Sequence, residues 1–212
     1  MTKPAADLTL VRPDAASEPC PPADRPGARH PEVRKRNAEA TRAAILAAGK
    51  IHFGRSGYEG AYLRDIAAEA GVDAALINRY FGGKQGLFNA CLRDAVRSAQ
   101  LFTGEREDFG RRIAHIFAGR TSQGMDGFRM ILRAATSPAT VHLLSETVQE
   151  RFMGPIRDWL GGEAAEARAR LFSSLFIGLL VETMIREAAL GEPERSAFEP
   201  LLADMFQRLV DG

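Results

Sequence analysis

Only two cysteines, Cys20 and Cys91, occur in 212 residues. That is too few, and too widely spaced, for a disulfide framework or the paired spacing of a zinc site. A reducing compartment fits such usage. An excess of charge of one sign is also missing: the formal net charge is +1, so the whole chain does not resemble a polycation that coats nucleic acid. No basic-then-apolar leader opens the sequence, and the longest apolar run, Leu171 to Val181, is too short to cross a bilayer. These absences point to a cytoplasmic chain without a membrane partner. There is no Ser/His/Asp order, phosphate loop or paired carboxylate in a recognisable active-site context, so neither an enzyme nor a cofactor is expected. His30, His115 and His142 have no metal-site spacing. His52 falls on the inner face of a helix, where a packing role is the expectation.

What is present suffices for a packed domain: 45% of residues are hydrophobic and 26% charged, which excludes collagen-like, coiled-coil and mostly disordered chains. The charge is unevenly spread. From Arg34 to Asp94 ten Lys/Arg stand against six Asp/Glu, and this positive excess is where phosphate contacts are to be sought. Residues 1–33 carry seven prolines and little apolar periodicity, a composition that cannot offset ordering entropy and reads as a disordered tail.

Apolar spacing then predicts helices throughout. The first runs over about 37–56, with Ile45, Leu46, Ala48, Gly49, His52 and Phe53 on one face. Gly57 permits a reversal, and a second helix covers about 62–70. Gly71 stops it with a sharp exit, and Asp73 can cap a third, short helix reaching about Tyr80. Gly82 and Gly83 end that helix; Lys84 begins a fourth, whose stripe of Leu87, Phe88, Cys91, Leu92 and Ala95 extends toward Leu101. Further helices are predicted over about 108–118, 125–136, 139–160, 163–190 and 196–210. The fold class is all-α: an N-terminal three-helix helix-turn-helix domain over 34–83 and a C-terminal helical domain over 84–212.

A helix-turn-helix that reads DNA needs a bracing helix, a tight turn and a short helix for the major groove. Residues 63–81 meet these needs. Ile66, Ala67, Val72, Ile77 and Phe81 supply an inter-helix core, leaving Asp73, Ala74, Ala75, Asn78, Arg79 and Tyr80 to point outward. Asn78 carries an amide able to pair bidentately with adenine, and Arg79 can reach a guanine edge or a phosphate. Asn78 reads equally well as a solvated helix-end residue or a phosphate contact.

The run from Thr41 to Phe88 resembles the DNA-binding domain of the tetracycline-repressor (TetR) family. The matches are Thr41-Arg42, Ile45-Leu46, Phe53, Gly57-Tyr58, Asp65-Ile66-Ala67, Ala70-Gly71-Val72, Tyr80-Phe81, Lys84 and Leu87-Phe88, close to fifty residues in all. Ala61-Tyr62 stands where the family usually carries Thr/Ser, so the second helix loses its ordinary side-chain cap. Asn78 takes the place of a common Tyr. The resemblance implies a partner, a double-stranded DNA operator, met by Tyr62, Arg64, Asp73, Ala74, Ala75, Asn78, Arg79 and Tyr80, with Lys84 clamping the backbone. Arg34, Lys35 and Arg36 form a basic arm that can lie along a groove or simply stay solvated.

The resemblance also implies a homodimer built on the last two long helices, with Leu171, Leu175, Phe176, Leu179, Met205 and Leu209 at its interface. The remaining helices are implied to enclose a pocket for an apolar or amphipathic small-molecule effector, with Phe102, Phe117, Met125, Phe128 and Trp159 as lining candidates. A repressor released from a near-palindromic operator is the expectation; a non-inducible architectural DNA binder or a protein-interaction module on the same fold are the alternatives.

Overall fold

The computed structural model describes residues 31–97, 99–186 and 188–212. The tail expected over 1–33 lies outside them up to position 30, and residues 31–33 belong to the first helix, α1 (Pro31–Gly60). Proline suits a first helical position because its missing N–H would be unbonded there anyway. After it, Glu, Arg, Lys and Ala favour helix without a breaker, so Arg34, Lys35 and Arg36 lie within α1 and not in an arm ahead of it. Gly57, at φ 70° and ψ 179°, kinks the helix. Tyr58 then turns back, its ring 5.0 Å from that of Phe88 and 6.3 Å from that of Phe53.

Three short helices follow: α2 (Leu63–Glu69), α3 (Ala74–Phe81) and α4 (Lys84–Ala95). Their buried residues Ile66, Ile77, Leu87, Phe88, Cys91 and Leu92 join Ile45 and Phe53 of α1 in a first core. Helix α4 therefore packs with the segment before it, although the sequence suggested a boundary ahead of Lys84. It also stops earlier than expected. Val96 leaves helical space (φ −88°, ψ 88°), and Ala99–Phe102 form a separate 3-10 turn. Burial of the Val96 side chain and a 3.4 Å hydrogen bond from Arg151 Nε to the Val96 carbonyl hold this departure.

The rest of the chain comprises α5 (Phe109–Ala118), α6 (Asp126–Thr136), α7 (Val141–Val148), a π turn (Gln149–Met153), α8 (Gly154–Leu160), α9 (Ala165–Arg186) and α10 (Glu194–Asp211). The single helix expected over 139–160 is thus interrupted. Pro155 has no N–H and its ring crowds the preceding turn; the wider π turn ahead of it relieves that crowding, with Gly154 N–H donating to the Gln149 carbonyl. No strand occurs among the described residues, and none of their helices is long and apolar enough to cross a membrane.

A second core gathers Phe109, Ile113, Phe117, Ile156, Phe172 and Phe206. Phe172 sits 5.7 Å from Phe109 and 5.2 Å from Phe206, ring to ring. Helices α5 and α10 cross almost backbone to backbone: a Cβ on Gly110 would lie 2.1 Å from the Ala203 carbonyl oxygen. Arg106 ties the ends of α8 and α10 together, donating to the carbonyls of Trp159 (2.7 Å), Leu160 (2.8 Å) and Val210 (2.9 Å) with its guanidinium over the Trp159 ring. These carbonyls have no partner further along their own helices, and a cation at a helix C-terminus is favourable.

The two cores meet through α6 and α7. Met130 and Ala134 of α6 and Leu144 of α7 belong to the first core, while Ile131 and Val148 pack on both. Arg133 Nε donates to the Gly54 carbonyl at 2.7 Å, and Lys50 pairs with Asp94 at 2.7 Å, binding α6 and α4 to the same stretch of α1.

Candidate nucleic-acid interface

The α2–α3 unit is set by its turn. Gly71 adopts φ 66°, a conformation that costs a side-chain-bearing residue strain. Gly71 N–H and Val72 N–H donate to the carbonyls of Ala68 and Ala67 at 3.1 and 3.0 Å. Val72 turns in against the first core, and Asp73 begins the next helix, its Oδ1 accepting from Ala75 N–H at 2.7 Å. At the other end Gly82 (φ 74°) and Gly83 (φ 105°) carry the chain out of α3 into α4. Gly86 lets that turn close: a Cβ there would fall 1.7 Å from the Phe81 carbonyl oxygen. Ile77 is fully buried and fixes the roll of α3 about its axis.

With that roll fixed, Ala75, Asn78 and Arg79 of α3 and its N-cap Asp73 are exposed, as are Arg64 of α2 and its N-cap Tyr62. Two outward assignments need correction. Ala74 and Tyr80 are partly buried against the first core, Tyr80 with its ring edge-on to Phe81 at 6.5 Å. Eight helical residues present about half their positions inward, and 74, 77, 80 and 81 share the side that Ile77 anchors. Lys84 lies at the first position of α4, with Nζ 3.0 Å from the Glu59 carbonyl and 5.0 Å from the centre of the Tyr58 ring. That places the ammonium at the foot of α1 beside the exposed face, where a phosphate would have to exchange with the Glu59 carbonyl. The side chains of Arg34, Lys35 and Arg36 lie outside the described residues. Tyr62 is the N-cap of α2 with no side-chain cap bond, as the sequence suggested.

Of the expected pocket residues, Phe128 lines a cavity of about 100 Å³ with Ile131, Val148, Phe152, Phe176 and Leu180. The cavity sits at the seam of the two cores. Phe102 and Trp159 meet in a tilted ring contact at 4.8 Å elsewhere, Phe117 is buried edge-on to Phe176 at 5.2 Å, and Met125 is buried; none of these four lines this cavity. Phe152 also stands among the large apolar pocket candidates of the sequence; Phe176 does not, because an all-apolar α9 hides which face looks inward. Phe176, expected at a subunit interface, packs within its own chain on Phe117, Phe152 and Phe172 and is half-buried there. Leu175, Leu179 and Leu209 are likewise partly buried on the second core. Leu171 and Met205 remain exposed, and Ile177, Ile185 and Leu201 join them.

Burial pushes the Cys91 thiol up to about 12, against a smaller opposing influence of Lys50, so it is a packed hydrophobe and not a nucleophile. No cluster of His, Cys, Asp and Glu suited to a metal occurs among the described residues.

Two family models match the chain. That of the bacterial regulatory proteins of the tetR family covers residues 45–91, and that of the tetracyclin repressor-like C-terminal domain covers residues 107–210. The HTH-type transcriptional regulator BetI of Vibrio vulnificus (strain YJ016) is 35% identical over 75 residues, which are 35% of this chain and 38% of that protein. BetI of Agrobacterium fabrum (strain C58 / ATCC 33970) is 29% identical over 167 residues, 71% of this chain and 80% of that protein. The match to the Vibrio protein thus spans well under two thirds of its length. A putative TetR-family regulator from Rhodococcus sp. superposes with a TM-score of 0.61 at 19% identity, covering 81% of this chain and 99% of the other, which shows the shared fold. With both halves matched and the helix-turn-helix geometry in place, the chain belongs to the TetR family of helix-turn-helix transcriptional regulators.

Proposed function

We propose that this regulator is a homodimeric repressor that holds a near-palindromic operator through α3 and lets go when a small molecule enters the seam between its two cores. The observation that carries this reading is the pairing of an exposed polar edge on α3, Asn78 and Arg79, with an exposed apolar strip on α9 and α10. Leu171 is 56%, Ile185 74% and Leu201 69% exposed. Burying that strip against its own copy removes apolar surface from water and sets two α3 helices side by side, about 34 Å apart, for successive major grooves. A Cβ on Gly178 would touch nothing within 4 Å, which leaves room there for close approach of a partner helix.

Release follows from the cavity's position. Ile131 and Val148 touch both cores and line the cavity. A ligand that widens it moves α6 and α7 against α1 and α4, and so changes the spacing of the two α3 helices. The ligand must bind the released arrangement more tightly than the DNA-bound one, since equal affinity shifts nothing. Such a protein acts in the cytoplasm, beside its DNA.

The test is a mobility-shift titration with the DNA flanking the chain's own gene, at several salt concentrations, together with sedimentation of the free protein. A dimer that binds this DNA, with affinity falling steeply as salt rises, is the expected result. A monomer indifferent to that DNA would overturn the reading.

A further inference from the structure

Behind the α2–α3 face, between α1, α4 and the π turn, runs an open groove of about 500 Å³ lined by Arg42, Arg93, Arg97 and Arg151, with Asp94 the one acid among its lining residues. Glu150 adds a second carboxylate nearby, held bidentately by Arg93 at 2.5 and 2.8 Å. Asp94 is shared between Lys50, at 2.7 Å, and Arg97. Arg42 lies over the Phe81 ring and Arg151 reaches the Val96 carbonyl. Positive charge therefore exceeds what these two carboxylates neutralise, in a concave site where guanidinium forks suit carboxylate or phosphate oxygens.

The groove adjoins the apolar cavity at the seam. Arg97 lines both. Along the π turn, Arg151 lines the groove and the next residue, Phe152, lines the cavity. One stretch of chain, Asp94 to Arg97 facing Arg151 and Phe152, thus borders a charged compartment on one side and an oily one on the other.

We propose that groove and cavity together form one site for an amphipathic anion: a short apolar body against Phe128, Phe152 and Phe176, and a phosphate or carboxylate head on Arg97 and Arg151. This rests on the reading of the chain as an effector-controlled regulator and names the chemical class of its effector. The body is small, because the cavity of about 100 Å³ falls below the roughly 150 Å³ that takes up benzene. A lipophilic cation is disfavoured by the arginines. An anion on Arg97 and Arg151 competes with Asp94 and the Val96 carbonyl for the same guanidiniums, which loosens the join between α4 and the π turn.

The experiment is calorimetric titration of the full-length protein, without DNA, using butyl phosphate, butanoate, 1-butanol, butylammonium and inorganic phosphate. Butyl phosphate or butanoate is expected to bind at least tenfold more tightly than butylammonium, and Arg151→Gln to reduce that gap below threefold. Which of the two anions binds better identifies the head. Phe152→Trp, which fills the cavity, is expected to weaken butyl phosphate while sparing inorganic phosphate; far-UV circular dichroism confirms that both variants fold. Equal binding of the anion and the ammonium in the wild-type protein overturns the proposal, as does inorganic phosphate binding as tightly as butyl phosphate. If Arg151→Gln weakens operator binding with no ligand present, the groove serves the DNA backbone and the proposal also falls. A clear head-group preference in a protein that binds no operator supports the site and contradicts the regulator reading.

Discussion

Tyr62 is expected to cost stability where it stands, and replacing it by Ser should raise the melting temperature. As N-cap of α2 it has the extended backbone that position demands, φ −111° and ψ 137°, yet no side-chain oxygen accepts from the first turn. Asp65 N–H and Ile66 N–H both fall on the Tyr62 carbonyl, each at 3.2 Å. A serine hydroxyl in the same backbone reaches the N–H of Arg64 or Asp65, and such a cap is worth about 1 kcal/mol, within a range of roughly 0.5–2. The ring is 67% exposed, so removing it forfeits little burial. For a chain of this size 1 kcal/mol corresponds to about 2–4 °C. Thermal melts of the wild type, Tyr62→Ser and Tyr62→Ala, all at one protein concentration because dimerisation shifts the midpoint, separate the cap from loss of the ring. Ser is expected to melt above both others. If Ser and Ala melt together, the capping argument fails. If α2 and α3 form the proposed DNA-binding face, operator affinity should move the other way, because the exposed Tyr62 ring and its hydroxyl flank that face.

Two further outcomes follow from packing. Gly110→Ala puts a methyl 2.1 Å from the Ala203 carbonyl oxygen, so α5 and α10 must separate; a loss of about 3 kcal/mol, at the upper end of ordinary overpacking, is expected in urea unfolding, and a loss under about 1 kcal/mol would contradict that crossing. Cys91, whose thiol burial raises to about 12, stays protonated in the folded protein while the unfolded chain ionises near 8.5. The unfolded state then binds fewer protons, so this contribution is intact below about pH 8.5 and declines as pH rises toward 12. Cys91→Ala should flatten that part of the stability profile, and disulfide reagents at pH 8 should label Cys91 only on unfolding.

Much of the DNA-reading unit was legible because its punctuation is local. Gly71, Asp73 and the Gly82–Gly83 pair each dictate a backbone step, and the structure follows all of them. The inward side of α3 was harder to read. Eight residues carry little periodicity, and small or amphipathic side chains such as Ala74 and Tyr80 suit either side. The C-terminal half was legible as helices but not as faces. Apolar residues surround α9, so only packing decides that Phe176 turns in and Ile177 and Ile185 turn out. The basic groove did leave a trace, Arg93 and Arg97 at i, i+4 beside the apolar stripe of α4. What the sequence alone could not supply was Arg151, brought there from 54 residues beyond Arg97 by the π turn.

The central claim is that the exposed edge of α3 reads DNA bases, and equilibrium titration of Asn78→Ala and Arg79→Ala with operator and unrelated DNA tests it directly. Losing a bidentate base contact costs about 1–3 kcal/mol. Asn78→Ala should therefore bind its operator roughly 5- to 150-fold more weakly with little change on unrelated DNA, while the dimer stays intact. Arg79→Ala should weaken binding to one or both. Wild-type affinity for the operator in both variants would contradict the account.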